Sequence, residues 1–507
     1  VKSLFCFLLF FVLIMGCATG ILQAGAEPKV YEMLESGDHS RLEGIPELKE
    51  IIVQNRKIKY YPEEKVEEMV KPFLYSYEKF KEIDPEKIPK TGVSGFDLSK
   101  SEIIEDIEIL FQVLKYGYVG YEIQGGDQAF LEARESLISW AKDFAAEKGE
   151  EAFFYGVFKD ILIEKLSFIN DWHFKIGQER LYTHEKMHFG ADLDVYRNRD
   201  GFYLEKDGKK AYLISCNGND PEKYLKPSLN PEGELVYRPV KLAPENNQEK
   251  ATLLLEQNGE RWKKSISLIP ADSPDYFLVP FAIHKENDIT VITSRNLSRH
   301  FDDDLRSMVE KAGELRDEDL FILDLRGNTG GSTEYVRGWV KEFSSQQDYQ
   351  TWGWGSIDLC TQTSHRIRKN TEYILGFDAE WVEERFSPTA TGWSEVLYRK
   401  PRKIENDVLI FVLIDDKIAS AAEAFLLALR EMENVVFVGS NTAGGFNMGN
   451  YSFFHLPHSG VFFQAGVTLF FPPEISIIEG TGFAPDIWVE PSEAMDKTLT
   501  FIERYLR

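Results

Sequence analysis

The chain is 507 residues long, 43% hydrophobic and 13% aromatic, with 83 acidic against 58 basic residues and a net charge of −25. Length predicts roughly two to four domains, and the apolar content excludes wholesale disorder. The acidic balance argues against nucleic acid as a partner, because phosphate binding needs a basic surface.

Lys2 precedes an unbroken apolar run of twelve residues, 4–15. It is too short for a spanning helix and reads as an export signal over 1–26. Two cleavage sites compete: Ala24-Gly25-Ala26 fits the small-x-small rule, and Ile14-Met15-Gly16-Cys17 resembles a lipobox that would leave a lipidated Cys17. The expected location is therefore periplasmic or cell-surface, with membrane contact only through that alternative anchor. The other cysteines, Cys6, Cys216 and Cys360, make no disulfide framework. No Cys/His cluster has metal-ligand spacing, so neither a metal nor another cofactor is expected.

Residues 27–182 carry apolar positions at helical spacing, interrupted by a Pro/Gly break at 88–95, and predict a helical N-terminal domain. Ser99 or Ser101 is an available N-cap for the stretch that follows. From 183 to 275 the period shortens. Alternating runs such as 202–205, 210–215 and 251–256 are separated by Asp-Gly and Asn-Gly turns, which indicates a small β-rich module. Beyond it, β-type runs at 288–293, 320–325, 408–414 and 435–438 alternate with helical ones at 302–312, 334–343 and 421–431. The fold class predicted for 276–507 is an α/β core in a multidomain chain. Its segment 345–400, with Trp352, Trp354, Trp381 and Trp393, interrupts the core as a lid over a groove or as aromatic packing under a long insertion.

Two junctions in this core carry chemistry. The strand at 320–325 runs into Arg326-Gly-Asn-Thr-Gly-Gly331, where glycine backbone can approach an oxyanion. The strand at 408–414 runs into Ser420-Ala-Ala-Glu423, which reads as a helix start whose partial positive charge favours an alkoxide. Ser420 is the nucleophile candidate; as a bare helix start it would be a plain N-cap serine. The amides of Ala421 and of Gly330 or Gly331 are the candidate oxyanion donors. A serine nucleophile needs a base. The only lysine downstream of Ser420 is Lys497, beyond the core, which leaves the nine histidines. His173, in Asn170-Asp-Trp-His173-Phe at the junction of helical and β-rich regions, is the candidate base. Glu479, in a glycine-rich turn after the strand read at 461–471, is the candidate orienting acid, with Asp171 its rival.

The run Leu323-Asp-Leu-Arg-Gly-Asn-Thr-Gly-Gly331, the start Ser420-Ala-Ala-Glu423, Gly439-Ser-Asn-Thr442-Ala-Gly444 and Glu479-Gly-x-Gly482-x-x-Pro485-Asp486 occur in that order. Together they resemble the C-terminal-processing (tail-specific) serine peptidases and their tricorn and retinoid-binding-protein-like relatives, over about residues 100–490. The resemblance implies a ClpP/crotonase-like α/β core bearing the nucleophile Ser420. It also implies a PDZ-like identity for the β-rich module, and a peptide or protein substrate. One departure selects a branch. Where tail-specific members carry a base lysine after Thr-x-Gly, this chain has Gly445, and Asp171-Trp-His173 is similar to the Asp-Gly-His segment of the tricorn-like branch. That branch implies Ser420, His173 and Glu479 acting together. A non-catalytic ligand-binding protein on the same scaffold, and an adaptor whose PDZ-like module binds peptides, are the competing readings.

Overall fold

The computed structural model describes residues 31–92, 98–149, 153–190, 193–346, 348–349, 352–375 and 379–507. The export signal read at 1–26, with Cys17, lies outside the described residues, as do positions 93–95 of the predicted break.

The centre is a six-stranded sheet in the order Ala282–Glu286, Ile289–Thr293, Leu320–Asp324, Leu409–Ile414, Val435–Gly439, Ile487–Trp488. The first pair is antiparallel and the remaining four pairings are parallel. All six residues of Leu409–Ile414 are buried, as expected of a central strand covered on both faces. Helices Asp302–Ala312, Thr333–Ser344 and Ala421–Arg430 cover one face through Met308, Trp339 and Phe425. Helices Pro46–Asn55 and Ala494–Tyr505 cover the other through Leu48, Ile52 and Phe501. The first of those two lies inside the stretch read as a separate helical domain, yet its apolar side completes the central layer.

Lys100–Gly117, Gly126–Lys148 and Tyr155–Lys165 form the helical part proper. Ser99, one of the two N-cap candidates, caps the first of them reciprocally with Glu102, which makes a capping box. Their core continues into the chain around 357–393 and 448–475 through Phe174, Ile357, Ile367, Trp393, Met448 and Phe463. Segment 345–400 is accordingly built into the body: its strand Trp354–Asp358 pairs with Leu397–Arg399 and Thr468–Phe471, and the Trp393 indole donates to the Tyr75 carbonyl at 3.2 Å.

Strands from Glu185 to Pro270 form one eight-stranded sheet, joined by antiparallel pairings. Among the described residues of this module there is no α-helix, only the short 3-10 turn Pro221–Lys223. The groove between a strand and a helix, through which a PDZ module takes a peptide, therefore has no helical wall of its own here. A further difference concerns the strand read at 461–471, which is two: Phe462–Ala465 and Thr468–Phe471. The chain leaves one sheet for another at Gly466, where any side chain would press on the Met448 backbone.

Candidate active site

Ser420 sits between the central strand Leu409–Ile414 and the helix Ala421–Arg430. Its backbone takes φ 59° and ψ −124°, a conformation that costs a non-glycine residue energy and is retained where surrounding bonds over-determine it. Those bonds are on hand. The Ser420 amide donates to the Gly445 carbonyl at 3.1 Å and to Glu423 Oε2 at 3.2 Å. Fully buried Glu423 also accepts from Thr442 Oγ1 at 2.5 Å and from the Gly444 amide at 2.8 Å. Burial pushes its carboxyl up to about 7, against the lowering effect of those donors. One carboxyl group thus ties the Ser420 turn to the 442–445 loop.

The glycine loop faces this turn. Gly330 has φ 93°, and a Cβ on it would lie 2.7 Å from the Ala419 carbonyl and 2.8 Å from the Ala421 nitrogen. Only glycine allows that approach. The Gly330 amide, however, donates to Asn328 Oδ1 at 2.9 Å, which takes it out of the candidate oxyanion pair. The Gly331 and Ala421 amides have no acceptor among the described residues, so of the two loop glycines the structure leaves Gly331 available. Asn328 was not singled out from the sequence; an Asx residue two positions before a glycine was the available signal.

His173 arrives from a part of the chain 247 residues from Ser420. Its Nε2 lies 3.2 Å from Ser420 Oγ. Burial, reinforced by the charge of Arg180, pushes the imidazole down to about 3 from the ordinary 6.5, so the ring is neutral at neutral pH. The Met448 carbonyl acts in the opposite direction, but Nδ1 stays outside hydrogen-bond geometry and is buried without a partner among the described residues. Tyr451 stacks along the ring at 6.0 Å between centroids.

Neither acid proposed as an orienter bonds the ring. Glu479 Oε1 accepts from the Trp172 amide at 2.8 Å and Oε2 from the Asn447 amide at 3.2 Å. Asp171 Oδ1 accepts from the His173 amide at 2.7 Å; Oδ2 has no partner within hydrogen-bond geometry among the described residues, though the Tyr118 hydroxyl is near enough to lower the carboxyl's pKa. The Gln464 side chain donates to the His173 carbonyl at 2.7 Å. What these groups hold is the backbone on either side of the imidazole. Both carboxyls are fully buried; burial first, then their mutual repulsion in the case of Glu479, raises them well above the usual carboxylate range.

The two departures at Trp172 and Gly445 prove to be one. A Cβ on Gly445 would overlap the Trp172 side chain, so the indole fills the volume that a residue 445 side chain would need. Arg180 lies over this ring, 3.8 Å from its centroid, and Tyr182 meets it edge-on at 5.1 Å. The Tyr182 hydroxyl in turn donates to the Ala443 carbonyl.

A hydroxyl at a helix start facing a neutral imidazole, with one amide left free in its own turn and one in the glycine loop opposite, is a set of groups suited to acyl transfer. Residues 288–489 match the model of peptidase family S41. That stretch is an S41 peptidase domain, and it classes the chain as a serine-type peptidase, a hydrolase. No curated protein is matched by the chain. Among solved structures, mature CPAF is similar at 15% identity, over 80% of this chain and 96% of that one, with a TM-score of 0.40. The photosystem II D1 C-terminal processing protease is similar at 12% identity, over 80% and 97%, with a TM-score of 0.36. The tricorn protease follows at 11% identity, over 80% of this chain and 37% of that chain, with a TM-score of 0.31. Likeness at this level contributes nothing to the functional reading.

Proposed function

We propose that this protein hydrolyses peptide bonds with Ser420 as nucleophile and His173 as general base, on a ClpP/crotonase-like core. The neutral imidazole accepts the Ser420 proton through Nε2 as Oγ attacks the substrate carbonyl. The developing oxyanion is received by the Gly331 and Ala421 amides. The protonated ring then delivers its proton to the leaving amine, and a water molecule repeats the cycle on the acyl-enzyme. Glu479 and Asp171 serve as positioning residues, acting through the Trp172 and His173 amides. The observation that carries the reading is the 3.2 Å separation of His173 Nε2 from Ser420 Oγ, within reach for proton transfer.

Gly445 supports a Ser/His rather than a Ser/Lys mechanism, because Trp172 occupies the space a lysine would enter. A peptide reaching the β-rich module would be taken as an added strand at a sheet edge, since among its described residues there are strands and one 3-10 turn but no α-helix to receive it. The apolar run at 4–15 supports export, with Cys17 as the alternative lipid anchor; mass spectrometry of the mature N-terminus decides between cleavage sites.

A fluorophosphonate probe tests the proposal. Wild-type protein should be labelled at Ser420, with labelling lost in Ser420→Ala and severely slowed in His173→Ala. Undiminished labelling of Ser420→Ala would refute the assignment.

A further inference from the structure

The two short strands that follow His173, Lys175–Ile176 and Glu179–Arg180, pair antiparallel with Lys175 directly opposite Arg180. Directly opposed residues share a sheet face, and like charges in that position repel. Neither side chain has an ion pair or side-chain hydrogen bond among the described residues. In a chain with 83 acidic and 58 basic residues, cations ordinarily find carboxylates, as Arg56 does with Asp486 and Lys186 with Asp416. Here two cations share one spot with no carboxylate at ion-pair distance among the described residues, and only Arg180 feels the attraction of a carboxyl, that of buried Asp171, from further off. Partial desolvation of the head groups, for Arg180 where its guanidinium lies against Trp172, weakens both, and Arg180 further weakens Lys175.

Their place is specific. Arg180 is exposed on the outer strand of its sheet, and its guanidinium is held 3.8 Å from the Trp172 ring centroid. Trp172 packs on Gly445, whose carbonyl accepts from the Ser420 amide. One indole and one peptide unit therefore separate the cation pair from the nucleophile. Both charges also reach His173, whose basicity they lower. A guanidinium seated against an aromatic ring keeps its edge N–H groups free for the two oxygens of a carboxylate.

We propose that Lys175 and Arg180 bind a carboxylate of the substrate beside the catalytic dyad, so that peptides presenting an acidic group near the scissile bond are preferred. The inference rests on the peptidase reading. A bound carboxylate relieves the Lys175–Arg180 repulsion and screens their charge from the imidazole as it takes up the Ser420 proton. The carboxylate comes from an Asp or Glu side chain or from the chain terminus.

Fluorescence-quenched peptides in matched pairs test this with the full chain. One set exchanges Glu for Gln at each position flanking the scissile bond in amidated peptides. The other exchanges free acid for amide at the C-terminus of otherwise neutral ones. The wild type should prefer the acidic member of one set, and that set names the source. The preference should fall by about tenfold or more in Lys175→Gln/Arg180→Gln, chiefly through KM, persist in Arg180→Lys in weakened form, and turn towards Lys-bearing peptides in Lys175→Glu/Arg180→Glu. Equal kcat/KM within both sets, or a preference that survives the double substitution, overturns the proposal. Anisotropy of labelled peptides on Ser420→Ala separates it from the mechanism. Selective acidic binding abolished by Lys175→Gln/Arg180→Gln supports the carboxylate site even if the wild type cleaves nothing. Equal binding of acidic and neutral peptides contradicts it.

Discussion

The two halves of the proposed dyad, Ser420 and His173, are held by different physics. Ser420 stands at the end of a strand with every residue buried, in a turn fixed by the central core and by Glu423. His173 stands on a short hairpin whose strand Lys175–Ile176 pairs with Phe462–Ala465, and its backbone is pinned by Asp171, Gln464 and, one residue back, Glu479. Ser420 is placed by the packed core and by the acceptors of its own amide, and His173 by buried side chains bonded to the backbone on either side of it. Damage to the first should appear as lost stability, and damage to the second as lost activity in a protein that still folds.

The largest effects test whether the halves act as one unit. Ser420→Ala and His173→Ala should each lower kcat by about 10³-fold or more, and the double variant should fall little further; additive losses would mean that the two do not share a step. Next, Gly445→Ala sharpens the contrast at the seam between the halves. The new methyl must displace Trp172, and overpacking of this kind costs about 1–3 kcal/mol, visible as a lower midpoint of urea unfolding together with slower turnover. Unchanged behaviour in both would show the indole to be loosely seated.

Glu479→Ala comes third. It strips the acceptor from the Trp172 and Asn447 amides, and a buried donor left unsatisfied costs about 1–3 kcal/mol. Glu479→Gln, which keeps one acceptor, should lose less activity. A Gln variant as poor as Ala would indicate that the carboxylate charge itself is needed.

The smallest effect is on pH. Folded His173, near 3, lies below the ordinary 6.5, so between those values the unfolded chain binds a proton that the folded one refuses. Its contribution to stability is complete above pH 6.5 and drains away as pH falls towards 3. Asp171 and Glu423, raised to about 7, act with the opposite sign: their contribution is present below the usual carboxylate range and is lost as pH rises through about 7. The acid limb of kcat/KM should accordingly lie well below pH 6.5. A limb at 6.5 or higher would identify an ordinary solvated imidazole.

Sequence reading served the two halves unequally, for the same reason. Buried strands and glycine loops leave a mark in the chain, so the runs at 320–325 and 408–414 fell on the observed strands and the helix read at 302–312 on Asp302–Ala312. Ser420, Ala421 and the glycine loop were legible because strand, turn and helix are contiguous. The hydrogen bonds of Asn328, Asp171 and Glu479 were not, since which amide a carboxylate or carboxamide meets depends on long-range register that no local pattern carries. The Trp172–Gly445 complementarity joins positions 273 apart (445 − 172), which is why each looked like a separate anomaly. The module read as PDZ-like showed its strands through Asp-Gly and Asn-Gly turns, but that its described residues hold no α-helix was not deduced from those turns.

The central claim is that one hydroxyl, one neutral imidazole and two specific amides converge on a tetrahedral centre. A crystal structure of the covalent phosphonate adduct tests it directly. The account predicts phosphorus bonded to Ser420 Oγ, its oxygen at about 2.7–3.1 Å from the Gly331 and Ala421 nitrogens, and His173 Nε2 within hydrogen-bond reach of the adduct. An oxygen turned away from both amides, or an adduct on any residue other than Ser420, would contradict it.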